Sequence, residues 1–241
     1  MLRYGLDMTQ YTAVSAEAAI TADWRGSPLG VRGPAGCNAG GVRGEENHRN
    51  VRRANCLGDD MAHVPGVGLS VGATRLAAVT ADRGITGDAV FRLPDGELLT
   101  GFVDRIGDPI AVIDAHGRPH RAEDLLAGAL RELADAATGG RRPPGLAISL
   151  PGHWSPAAVG ALRRTLPRFF DGATPMLLPD YAAAIAALIR RPGLPTHGII
   201  ALCDIGGSGT SLTLLDADNG YRRVGETRRS GEFGGDLVDR T

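Results

Sequence analysis

Residues 67–79 read VGLSVGATRLAAV, and residues 202–215 read LCDIGGSGTSLTLL. Each is an apolar run, a cluster of small residues and a second apolar run. That pattern predicts a strand, a tight turn and a returning strand. Glycine lets backbone N–H groups approach an anion closely, and a turn presents several of them at once. The hydroxyls of Thr74, Ser208 and Thr210 add donors at the same places. A single glycine hairpin merely reverses a chain. Two hairpins of one design are a more specific signal, that of paired anion-binding loops.

The sequence around the two hairpins alternates strand and helix signals. Short apolar runs at LLTGFV and PIAVID follow the first hairpin. In AEDLLAGALRELADAA, Leu126, Ala129, Leu130, Leu133 and Ala137 recur at helical spacing, which predicts an amphipathic helix that GGRRPPG then breaks. GLAISLP reads as a buried strand. Ser155 and Pro156 read as the N-cap and first residue of a helix running to Pro167. PMLLP is a further strand, and Asp180 is placed to cap the helix YAAAIAALIRR. Asn219-Gly220 marks a turn before YRRVGETRRS. Strands, helix, strand, helix, strand, helix and a closing hairpin predict a mixed α/β fold. Residues 1–62 are rich in Gly, Arg and Asn without apolar periodicity, and they predict a disordered N-terminal extension.

Composition narrows the chemistry. The chain has 241 residues, 26 basic against 27 acidic, and a formal net charge of −1. This balance gives no electrostatic reason to expect nucleic acid or a membrane surface as partner. Every basic side chain is arginine. Without lysine there is no Walker-type phosphate loop and no Schiff-base chemistry. Cys37, Cys56 and Cys203 form no CxxC pair and no disulfide framework, so neither a structural zinc site nor an oxidising compartment is expected. No apolar run approaches the ~20 residues of a spanning helix, and the expected location is cytoplasmic.

Five segments in order resemble the nucleotide-binding domain of the 70-kDa heat-shock chaperones, in the actin-like ATPase superfamily. VGLSVGAT at 67–74 looks like the first phosphate loop and DIGGSGT at 204–210 like the second. ISLPGHWSPAAVGALRRTL at 148–166 resembles the strand, aromatic and long helix between them, and LLPDYAAAIAALI at 177–189 the next strand, acid and alanine-rich helix. GETRRSGEFGGDLVD at 225–239 resembles the glycine-glycine-acid stretch entering the second lobe. The resemblance implies a two-lobed actin-like ATPase (ribonuclease H-like) fold, with a first lobe at 63–196 and the truncated start of a second at 197–241. It also implies binding of ATP or ADP with Mg2+. Position by position, Asp204 matches the acid that holds the metal and its waters, and Asp180 an acid at the lobe boundary near metal and nucleotide. Gly72, Ala73 and Thr74 match the first loop; Gly206, Gly207, Ser208, Gly209 and Thr210 match the second. Arg105 either falls where the chaperones carry a catalytic lysine or is a solvated surface residue.

The departures from the family pattern bear on activity. Ser70 stands where an acid normally opens the first loop, and Ser211 or Leu212 where another follows the second. Arginine forks differently from a positioned ammonium. Phosphoryl transfer depends on positioning and charge neutralisation, so weak or absent hydrolysis is expected. The later segments that hold adenosine in the family have no match here. A protein partner, or a longer parent chain, would then cover the second lobe's exposed sheet. A non-catalytic scaffold binding a partner protein and a small-molecule kinase of the same superfamily are the alternatives. At single residues simpler readings also stand. Asp204 also reads as a strand end, and Asp180 as an N-cap, a metal-adjacent acid or both. His153 and Trp154 read as packing residues, Cys203 as inert core, and the arginine pairs at 163–164, 190–191, 222–223 and 228–229 as solvated faces.

Overall fold

Strand β1 (Val67–Val71) is buried along its whole length, because it is paired on both edges and covered on both faces. In the computed structural model, which describes residues 66–143, 145–189 and 193–238, β1 is the centre of a five-stranded sheet. On one side it pairs antiparallel with β2 (Arg75–Val79), which pairs antiparallel with β3 (Gly84–Asp88). Two small hairpins follow, β4 (Phe91–Arg92) with β5 (Leu98–Leu99) and β6 (Val112–Ile113) with β7 (Pro119–His120). On its other side β1 runs parallel to β8 (Leu146–Leu150), and β8 parallel to β9 (Met176–Pro179). Antiparallel neighbours need only tight turns, whereas the parallel step from β8 to β9 needs a crossover, which helix α2 (Pro156–Phe169) supplies. The described chain is a mixed α/β fold on a mixed sheet. The expected extension at 1–62, Cys37, Cys56 and the arginine pair at 190–191 lie outside the described residues.

The core follows from side-chain alternation. Val67, Leu69 and Val71 join Leu76, Ala78, Ile148 and Leu150 on one face, against Leu126 and Leu130 of helix α1 (Ala122–Thr138) and Leu162 and Leu166 of α2. Ser70 and Ser149 lie opposite one another on the other face, and both are buried. Gly139, at φ 66°, ends α1 in the left-handed conformation that glycine adopts without strain. The Ser155 hydroxyl accepts the Ala158 N–H at 3.2 Å, as its N-cap reading requires. Two expectations need correction. α2 runs past Pro167 to Phe169: a proline near the C-terminus costs one hydrogen bond, and Phe170 N–H still reaches the Leu166 carbonyl at 3.0 Å. Helix α3 (Asp180–Leu188) has Pro179 as its N-cap, so Asp180 is the first helical residue and its carboxylate is not a cap.

A separate three-stranded antiparallel sheet holds β10 (Ile199–Ile205), β11 (Thr210–Asp216) and β12 (Arg222–Ser230). Its two faces differ. Ser211, Thr213 and Leu215 of β11 point inward and are buried. Ile199, Ala201, Cys203 and Ile205 share the other face with Leu212, Leu214 and Val224, and all are exposed. Cys203 is therefore a free, exposed thiol and not core, because β10 alternates and nothing among the described residues covers its outer face. Among the described residues no helix is long and apolar enough to cross a membrane.

The seam between α1 and α2 predicts where stability resides. Leu126 and Leu162 are fully buried. Leu126→Ala or Leu162→Ala should each lower the unfolding free energy by about 2–5 kcal/mol. Urea unfolding would show this as a lower midpoint at unchanged slope; a loss below about 1 kcal/mol would mean that this seam is not the centre of the core.

Candidate functional site

The two sequence-echoing turns have one geometry. Val71 pairs with Leu76 and Ile205 with Thr210, so each hairpin closes over four residues. In the first, Gly72 N–H donates to the Arg75 carbonyl at 2.9 Å; in the second, Gly206 N–H donates to the Gly209 carbonyl at 2.9 Å. The first turn belongs to the five-stranded sheet and the second to the three-stranded sheet, and they meet. A methyl group added to Gly207 would collide with the Thr74 hydroxyl and reach within 3.0 Å of an Asp236 carboxylate oxygen. The second turn is braced from behind by the residues after β12. Gly235 and Asp236 N–H groups donate to the Gly206 and Gly207 carbonyls, each at 3.0 Å. A side chain at Gly234 would strike the Gly207 carbonyl, so that brace requires glycine.

Between the turns lies a cleft of about 340 Å³. Gly72, Ala73 and Thr74 line it from one side, and Asp204, Gly206, Gly207, Ser208 and Gly209 from the other. Its floor is formed where β8 ends and α3 begins, with Pro151, His153 and Asp180. Gly152 admits this arrangement, because a Cβ there would sit 2.8 Å from the Asp180 carboxylate. Ser70 and Ser211 also face the cleft.

Two carboxyls dominate its electrostatics. Burial, reinforced by the nearby negative charge of Asp204, pushes Asp180 up to about 6. Hydrogen bonds from the Gly152 and Tyr181 N–H groups, the latter at 2.6 Å, oppose that rise. Burial also raises Asp204, against the pull of the Arg229 guanidinium. Two carboxyls that repel one another in a half-buried cleft form a donor set suited to a hard divalent cation, which favours oxygen ligands. The Nδ1 of His153 is buried without a hydrogen-bond partner, and burial, then Arg229, lowers its proton affinity. An unpartnered polar atom beside a polar cleft is costly unless a ligand or water meets it.

Not every candidate arrives. Thr210 is absent from the cleft lining, because its hydroxyl donates to the Phe233 carbonyl at 2.9 Å. Arg105 lies in a 3-10 turn (Val103–Arg105), where its guanidinium donates to the Ile110 carbonyl at 3.2 Å, and it does not line the cleft. Its neighbour Asp104 does. Trp154 packs against the main core, as expected. His153, expected to pack, instead faces the cleft. Arg229 is exposed, as expected of a surface arginine, and it also lines the cleft. Its signal was present in the sequence only as register: in an antiparallel sheet Asp204, Ser211 and Arg229 fall opposite one another, so they share one face.

A second polar cluster lies elsewhere. Asp95, Glu97 and His116 bring ligand atoms within 4.8 Å of one another. Their oxygens are already engaged: Arg118 donates to Asp95 at 2.7 Å, and Ala115 N–H to Glu97 at 2.9 Å. Arg118 also grips Asp114. Burial alone would raise Asp114, yet hydrogen bonds from His120 and Arg118 outweigh it and hold that carboxyl far below the usual range. This network ties the two small hairpins together.

No protein-family model matches the chain, and none of the curated proteins matches it. The case for function therefore rests on the cleft.

The raised proton affinity of Asp180 has a signed consequence. Between about pH 4 and pH 6 the folded protein holds a proton that the unfolded chain has released, so stability falls as pH rises through that window. Asp180→Asn keeps a hydrogen-bond acceptor for the Tyr181 N–H and removes the charge. It should flatten that slope and raise the unfolding free energy at pH 7 by about 1–2 kcal/mol, after allowing for water in the open cleft. Denaturant titrations at several pH values would test this, and an unchanged slope would remove Asp180 as the titrating group.

Proposed function

We propose that this chain is a nucleotide-binding protein of the actin-like ATPase type, related to the heat-shock chaperones, which binds ATP or ADP with Mg2+ and hydrolyses it weakly or not at all. The observation that carries this reading is the meeting of two four-residue glycine turns, one from each sheet, across a cleft with carboxyls on its floor. Opposed backbone-amide turns suit a polyphosphate, whose charge is spread over several oxygens. Gly72, Ala73, Thr74, Gly206, Gly207, Ser208 and Gly209 would cradle the phosphates. Asp204, with Asp180, would hold the metal or its waters, and the bound ion would offset phosphate charge. On this reading the five-stranded sheet and its helices form the first lobe, and β10 begins the second.

Ser70 and Ser211 supply hydroxyls where carboxylates would organise a hydrated metal, and no described residue offers a lysine. Two oxygen ligands with raised proton affinities bind a cation less firmly than four carboxylates, so binding outlasts catalysis. A second reading, the non-catalytic scaffold, is favoured by one observation. The outer face of the β10–β12 sheet leaves Ile199, Ile205, Leu212, Leu214 and Val224 each at least 40% exposed, an apolar patch of the kind that marks a protein contact.

Calorimetry separates the two. With Mg2+ present, ATP and ADP should bind, and Gly207→Val should abolish binding and lower the thermal melt, because its side chain collides with Thr74 where the two turns meet. Turnover should stay near background. Absence of heat at millimolar ATP in the unaltered protein would discard the nucleotide reading and leave the scaffold.

A further inference from the structure

Two arginines line the cleft, Arg75 at the end of the first turn and Arg229, and Arg229 is assigned a role by neither family resemblance nor residue pattern. Arg229 lies on β12 opposite Ser211, and Ser211 lies opposite Asp204, so the three form one row across the sheet on the cleft side. Its Nη2 donates to the Ser208 hydroxyl at 2.6 Å, at the tip of the second turn. The carbon that a side chain at Gly209 would introduce sits 3.3 Å from the guanidinium, so the arginine lies flat along that turn. Its charge is felt at Asp204, Asp180 and His153 alike. Yet among the described residues it makes no ion pair, and its hydrogen-bond partner is a neutral hydroxyl.

Such an arrangement suits an anion. A polyphosphate entering the cleft meets Asp104, Asp180, Asp204 and Asp236, and a cation is needed to offset their repulsion. An arginine fork matches the oxygens of a phosphate in pairs and stays charged at any physiological pH. It also forms stronger hydrogen bonds to an anion than to a neutral hydroxyl. Ser211, opposite Arg229, carries no charge to hold the guanidinium, which leaves it free to exchange partners.

We propose that Arg229 is the ligand for the terminal phosphate of a bound nucleoside triphosphate: its guanidinium leaves the Ser208 hydroxyl for that phosphate, and the Ser208 O–H donates to the same group. Arg229 thereby supplies the positive charge that a lysine-free chain must find elsewhere. The inference rests on the nucleotide-binding reading above.

Calorimetric titration of Mg–ATP and Mg–ADP into the unaltered chain, Arg229→Gln and Arg229→Lys tests it. The glutamine variant should lose at least tenfold in ATP affinity and about threefold or less in ADP affinity. The lysine variant, which keeps the charge but not the fork, should fall between and recover part of the ATP preference. Should the glutamine variant fail to fold, the lysine variant alone decides, through the ratio of its ATP and ADP affinities. An equal drop for both nucleotides would mean that Arg229 only shapes the turn, and unaltered ATP affinity in the variants would leave it a surface residue; either overturns the proposal while the nucleotide reading stands. Lack of ATP and ADP binding by the unaltered protein would instead defeat that reading, and this one with it.

Discussion

The contact between Gly207 and Thr74 is the constraint on which the cleft depends. Two turns from different sheets approach so closely that a single added methyl group would not fit. Only glycine allows that approach, and only a firmly held turn keeps it. The second turn is held on both sides: internally by Gly206 N–H on the Gly209 carbonyl, and from behind by Gly235 and Asp236 N–H groups on Gly206 and Gly207. These bonds engage the carbonyl groups of Gly206, Gly207 and Gly209. A turn braced through its carbonyls is preorganised to receive an acceptor, so little ordering is required when an anion enters.

The same economy governs the floor. Gly152 lets the end of β8 approach the start of α3, which brings the Asp180 carboxyl beneath the two turns. There it meets Asp204, whose negative charge disfavours ionisation of Asp180. A site that concentrates carboxyls at a cost to stability usually does so for a ligand, and groups of perturbed proton affinity cluster at such places. Here the cost is partly relieved by Arg229, whose charge lowers both.

The sequence made the fold's elements legible where local chemistry decides them. Ser155 and Pro156 begin a helix because their side chains satisfy helix-terminal geometry by themselves, and the hairpin turns declare themselves by glycine. The sequence failed where tertiary context decides. Strand β3, ITGD with flanking glycine, has no alternation to detect and exists because β2 offers it an edge. Asp180 looked like a cap because acids usually are; only the position of Gly152 turns its carboxyl to the cleft. Arg229 looked like a surface arginine and is exposed, but its place on the cleft side did not show, and Cys203 looked like core. Their placement depends on which face of a three-stranded sheet is covered, and strand periodicity alone gives two faces without saying which is inside.

That sheet also sets what the cleft can do. Its inward face carries Asp204, Ser211 and Arg229, while its outward face exposes Ile205 and Leu212 directly behind the second turn. Ile205 immediately precedes the turn and Leu212 pairs with Cys203, so anything that packs on the outer face presses on the strands that carry the second turn. The two readings of function are therefore physically coupled. A partner seated on the apolar face would stiffen β10 and β11, and a nucleotide in the cleft would stiffen the turn that joins them. Each ordering step lowers the entropy cost of the other, which is positive coupling without any change of shape.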